Sequence, residues 1–149
     1  MGDALSLQYE VADIIGLDAW KIYEKGDTEV EERHLIPEAM MLSIAGSLIG
    51  DFLKGLIQPE RLGQAARAKL DDLYSNLKHK DFSRSADKSE FIDLLNSVQA
   101  PASQTTPEQL QKAEESLAAS LREFGLDAAA AKDKASQIRA SVMASLTEA

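Results

Sequence analysis

The sequence lacks cysteine entirely: none occurs among its 149 residues. Disulfide bridges, thiolate metal sites and cysteine nucleophiles are therefore excluded. A chain without cysteine is typical of a reducing compartment. The N-terminus also lacks a basic segment followed by an apolar run, so we predict no signal peptide and expect a cytoplasmic protein.

Histidine and glycine are scarce, with 2 and 8 residues respectively. The glycines lack the spacing of a phosphate loop, a dinucleotide fingerprint or a nucleophile elbow. Because the sequence shows none of these motifs, we predict that the protein is not an enzyme and carries no cofactor and no metal. One alternative is a carboxylate and histidine metalloprotein, since Glu31 and His34 have the spacing of half a di-iron motif.

Basic residues are in the minority, with 16 against 25 acidic residues and a formal net charge of −9. The imbalance is concentrated in the first 60 residues, which hold 12 acidic and 4 basic residues. Such a surface repels nucleic-acid phosphates and anionic lipid headgroups, so we expect no nucleic-acid partner. It can attract a basic protein surface, although a negative net charge also serves solubility alone.

Long hydrophobic runs are missing as well, since a bilayer-crossing helix needs about 20 apolar residues. The uncharged stretch from Ala39 to Gly50 has only twelve residues. Around it, residues 38–57 are apolar on most sides of a helix, which is typical of a helix at the centre of a domain. A membrane-associated or membrane-perturbing protein that uses helix 39–57 is a second alternative.

Four small residues, Ser43, Gly46, Ser47 and Gly50, form one row on this central helix. Small side chains let two helix backbones approach closely. We favour a helix crossing within the chain and keep a contact between two copies as the alternative.

Helical periodicity extends over most of the chain. Residues 4–25 fit a helix, but residues 5–11 also fit the alternation of a short strand. Pro59 begins another predicted helix that runs to about Lys78, and a further apolar stripe follows near Phe91. We therefore predict an all-α protein, a compact bundle of about five or six helices.

A polar segment divides the chain near its last third. Residues 99–106 contain no charge and no large apolar side chain, and we predict that they form a linker. It would join a main helical body, residues 1–98, to a helical hairpin, residues 107–149. Two helices cannot enclose a core, so we expect the hairpin to dock on the body, to swap into a second copy or to bind a partner.

The bounds of the hairpin helices are indicated by their end residues. Thr106 followed by Pro107 is typical of a helix start. Gly125 ends this helix and Asp127 caps the last one.

The predicted contact surface is acidic and carries the single tryptophan. Trp20 falls on the same helical side as Asp13 and Glu24, and an aromatic ring among carboxylates is typical of a binding anchor. The competing interpretation is a tryptophan covered by its own chain. We predict a non-enzymatic protein-binding module, an adaptor, inhibitor or assembly subunit, which can form a homo-oligomer. The predicted contact residues are Trp20, Asp13, Asp18, Glu24, Glu29, Glu31 and Glu32.

Overall fold

The structure is a computed structural model that describes residues 7–16, 38–81 and 88–147. Within these ranges the chain forms α-helices and one short 3-10 helix, Pro59–Arg61, and no strand. The all-α prediction is confirmed, and residues 7–11, where a strand was the alternative, are helical. The six helices are α1 (7–16), α2 (Glu38–Leu56), α3 (Gln64–His79), α4 (Lys88–Ser103), α5 (Pro107–Glu123) and α6 (Ala128–Thr147).

Helix α2 is the centre of the bundle, as its composition predicts. Every residue from Ser43 to Leu53 is buried. Helices α3 and α5 pack on two of its sides, and α1 is tied to it by Gln8, whose Nε2 donates to the Leu42 carbonyl at 3.1 Å. A helix surrounded in this way has no need of a polar face, which explains its nearly charge-free sequence.

Helix α3 starts later than the sequence predicts. The prediction of a continuous helix from Pro59 is wrong, because the chain makes the 3-10 turn and then extends at Gly63, where φ is −65° and ψ is 160°. The extended Gly63 lets the chain turn back along α2. The α3 stripe is buried at Ala66, Leu70, Leu73 and Leu77.

The predicted linker is largely helical. Helix α4 continues through Pro101 to Ser103, so the segment between α4 and α5 is only residues 104–106. A proline inside a helix removes one backbone hydrogen bond. Burial of Ala102 holds this last turn against the core, and the Arg61 guanidinium donates to the Gln104 side chain at 2.9 Å. The sequence did not indicate this last turn of α4, because its buried residue, Ala102, is too small to mark an apolar stripe.

The predicted start of α5, its end at Gly125 and the predicted start of α6 are confirmed. Thr106 Oγ1 accepts a hydrogen bond from the Gln109 amide at 3.2 Å, and Asp127 Oδ1 accepts one from the Ala130 amide at 2.7 Å. Gly125 has φ of 110°, a left-handed value that favours glycine.

The apolar stripes of α5 and α6 are covered within the same chain. Helix α5 packs on α2 and on α6, and α6 also contacts α4. These stripes therefore need no second copy to be buried in this structure, and a homo-oligomer stays a prediction. The buried stripe residues are Ala113, Leu117, Leu121, Ala131, Ala135, Ile138, Val142 and Leu146.

Candidate functional site

Among the predicted contact residues, Asp13 belongs to the part of the chain that the structure describes. It is exposed on α1. His34, which with Glu31 forms the half motif behind the metalloprotein alternative, lies outside the described residues. So do the remaining contact residues, which are Trp20, Asp18, Glu24, Glu29, Glu31 and Glu32.

Helix α1 has one buried and one exposed face. Its apolar face, formed by Leu7, Val11 and Ile15, enters the core. The opposite side exposes Tyr9, Glu10 and Asp13. Asp13 lies four positions after Tyr9 and three after Glu10, so its side chain neighbours both of them on the helix. We call Tyr9, Glu10 and Asp13 the α1 outer face.

The α1 outer face joins an aromatic ring to two carboxylates. Tyr9 is 42% exposed, and no other large hydrophobic side chain is exposed among the residues whose burial the structure describes. No basic residue occurs between residues 7 and 16, so the charges of Glu10 and Asp13 have no cation on their own helix. Tyrosine combines apolar area with a polar tip and is common at the centre of protein interfaces.

Sequence reasoning missed Tyr9 because of the ambiguous period of this segment. In a strand Tyr9 shares a face with Leu7 and Val11, whereas in a helix it turns away from them. The helical phase of the buried residues Leu7, Val11 and Ile15 was the signal that could have identified it.

The small-residue row lies inside the bundle. Its four members are buried, and an ideal Cβ built on Gly50 would lie 2.7 Å from the Leu73 Cβ of α3. At Gly50 the row therefore serves a crossing within the chain, which is the interpretation favoured from the sequence. A second close approach was not predicted: an ideal Cβ on Gly55 would lie 3.3 Å from the Ala113 Cα of α5.

The contact between α2 and α5 contains a buried acid, Asp51, which is 3% exposed. The Ser120 hydroxyl donates to its Oδ2 at 3.0 Å. Burial raises the pKa of Asp51 to about 6, and repulsion by Glu123 raises it too, while the Ser120 hydrogen bond and the Lys54 charge act in the lowering direction.

The polar groups near Asp51 give it little further support. Lys54 Nζ lies 2.8 Å from Asp71 Oδ1 and 4.4 Å from the centre of the Tyr74 ring, so this cation is engaged with α3. Ser47 lies one helical turn before Asp51, and its buried Oγ has no hydrogen-bond partner. The sequence signal for this cluster was the carboxylate of Asp51, away from both ends of a helix that is apolar on most sides.

The remaining described surface offers no site with a clear ligand preference. A groove of about 390 Å³ between α3 and α4 is lined by small apolar side chains and by polar ones such as Lys69, Asp72 and Asp93, a mixture that favours no single ligand class. The described ranges contain no group of three acidic or histidine side chains placed to hold a metal ion. From Ile44 to Leu56 the apolar side chains of α2 are packed inside the bundle. No described helix has the length and apolarity to cross a membrane.

Comparison with known proteins found no match: no protein-family model, no curated protein and no solved structure is similar to this chain.

Proposed function

We propose that this protein is a non-enzymatic protein-binding module, an adaptor, inhibitor or assembly subunit, that works in the cytoplasm. Its partner presents a basic surface to the acidic N-terminal region. The observation that carries the proposal is the α1 outer face, where the exposed ring of Tyr9 shares the outer side of the helix with the exposed carboxylates of Glu10 and Asp13.

Charge and aromatic area have different roles in this mechanism. The acidic excess of the first 60 residues, 12 acidic against 4 basic, attracts a basic surface and speeds the encounter. Burial of the Tyr9 ring then slows dissociation, since large aromatic side chains account for much of the energy of many interfaces. Raising the salt concentration should therefore lower the association rate more than it raises the dissociation rate.

Trp20 and the acids at Asp18, Glu24, Glu29, Glu31 and Glu32 belong to the same proposal. They rest on the sequence pattern alone, since they lie outside the described residues. A variant that changes Trp20 to Ala and reverses the charges of Glu29, Glu31 and Glu32 tests this part of the surface separately from α1.

The test begins with affinity capture of the full chain from extracts of its native cells, followed by quantitative mass spectrometry. The variant combines Tyr9→Ala, Glu10→Lys and Asp13→Lys. The matched control reverses two exposed acids elsewhere, Glu115→Lys and Asp133→Lys, and so has the same net charge.

We expect a basic protein that the wild type and the control capture and the α1 variant loses. The captured protein is then purified, and its association rate is measured at low and high salt. If the control and the α1 variant lost the captured protein equally, net charge alone would account for the binding. If both variants captured the protein as well as the wild type, the α1 outer face would not be the contact surface.

A further inference from the structure

The contact between α2 and α5 holds a carboxyl group that is poorly compensated when it is ionised. Asp51 is buried, and Ser120 of α5 supplies one hydrogen bond to it at 3.0 Å. Helical side chains lean toward the N-terminus, so the Asp51 carboxyl leans toward Ser47. The Ser47 oxygen is buried without a partner and gives the carboxyl no hydrogen bond.

The charged groups around Asp51 do not balance it either. Helix α5 contributes Glu123, a like charge. Helix α2 contributes Lys54, which is held 2.8 Å from Asp71 of α3.

We propose that Asp51 makes the contact between α2 and α5 proton-dependent, so that the contact is tight while Asp51 is neutral and opens more readily once it is ionised. The proton comes from solvent and returns to it. Ionised, the buried carboxylate repels Glu123 and lacks the hydration that it would gain if α5 moved away from α2. Neutral, it stays in the core at little cost. Opening would uncover the apolar stripe of α5, including Leu117 and Leu121.

The direction follows from the two states of the carboxyl group. Its pKa is about 6 in the closed contact, against 3.8 for an aspartate in water. Between these values the closed form holds a proton that the open form has released, so opening becomes more favourable as the pH rises through this window. Between pH 5.0 and 7.5 the opening equilibrium should rise about tenfold.

Amide hydrogen exchange on the full chain tests this, after correction for the intrinsic effect of pH. In the wild type we expect the opening of α5 amides to rise about tenfold from pH 5.0 to 7.5. We also expect α5 amides to open at a lower free energy than α4 amides at pH 7.5. Asp51→Asn should abolish the pH dependence. Ser47→Ala is the matched control, because it removes the unsatisfied hydroxyl and should change opening equally at both pH values.

A second measurement needs no Asp51 variant. The ¹³C NMR signal of the Asp51 carboxyl in the wild type should titrate near pH 6, and Ser120→Ala should raise the midpoint by removing a hydrogen bond to the ionised form. A midpoint near 4 would overturn the proposal. An unchanged pH dependence in Asp51→Asn would also overturn it, as would equal opening free energies for α5 and α4 amides at pH 7.5, which indicate global unfolding.

Discussion

The central helix α2 makes two contacts of different chemistry. Toward α3 it places Gly50 against Leu73, and a charged pair there, Lys54 with Asp71, stays at the exposed edge. Toward α5 it makes a less severe approach, at Gly55, and also buries the carboxyl of Asp51. Apolar packing of the first kind contributes a stability that does not depend on pH. The stability contributed by packing around a buried acid depends on pH, because burying the acid costs more free energy when it is ionised.

The comparison suggests that the two neighbours of α2 serve different purposes. A contact built of small and apolar residues, such as Gly50 and Leu73, is suited to holding the bundle together. A contact that retains an under-supported acid gives up stability at neutral pH, since replacing such a group with an apolar one is often favourable. The α5 side is therefore the place where the bundle should loosen first.

We expect the largest loss of stability when α5 and α6 are removed together. We expect a chain that ends at Gln104 to lose its cooperative thermal transition, because α2 packs on α5 as well as on α3. Circular dichroism against temperature measures this. A sharp transition in the shortened chain would instead support residues 1–98 as an independent body, a division that stays a prediction.

Substitution of the two close glycines compares the two contacts directly. Gly50→Ala should lower the free energy of unfolding by about 2 kcal/mol, because the new Cβ would meet the Cβ of Leu73, which cannot rotate away. Gly55→Ala is the matched change on the α5 side, where the approach is less severe. It should stay within about 1 kcal/mol of the wild type, helped by the helix propensity of alanine. Urea denaturation measures both, and equal losses would contradict the difference in approach.

Asp51→Asn tests whether the stability of the contact between α2 and α5 depends on pH. Because the pKa is raised to about 6, burial of ionised Asp51 lowers the free energy of unfolding of the wild type. This loss is complete above pH 6, partial between pH 6 and 3.8, and absent below pH 3.8. The stability of Asp51→Asn relative to the wild type should therefore increase by about 1.4 kcal/mol from pH 5.0 to 7.5. Denaturant unfolding at both pH values measures this difference, and a constant difference would count against the raised pKa.

The smallest effect should come from the exposed pair on the α3 side. Asp71→Asn should cost little, and less at high salt, because both partners of this pair are solvated. The neighbouring Lys54 lowers the pKa of Asp71, so its contribution is present above pH 3.8 and is lost as the pH falls through the lowered value. Asp72→Asn, at the next exposed position, is the control. A larger loss at high salt would rule out an ion-pair effect.

Much of the fold followed from local patterns. The stripe of α3, the central position of α2 and the caps at Thr106 and Asp127 were predicted because each depends on residues within a few positions of one another. The bounds were less certain: the turn before α3 and the last turn of α4 depend on packing at Gly63 and Ala102, which no local pattern shows.

The candidate sites divide in the same way. The sequence by itself determined the acidic N-terminal region and the helical class, because charge and periodicity are properties of the chain. Only the tertiary structure decided that Tyr9 faces outward and that Asp51 is buried against Ser120, which lies 69 positions away. A carboxylate has no raised pKa until other helices exclude water from it, and that exclusion depends on contacts between distant residues.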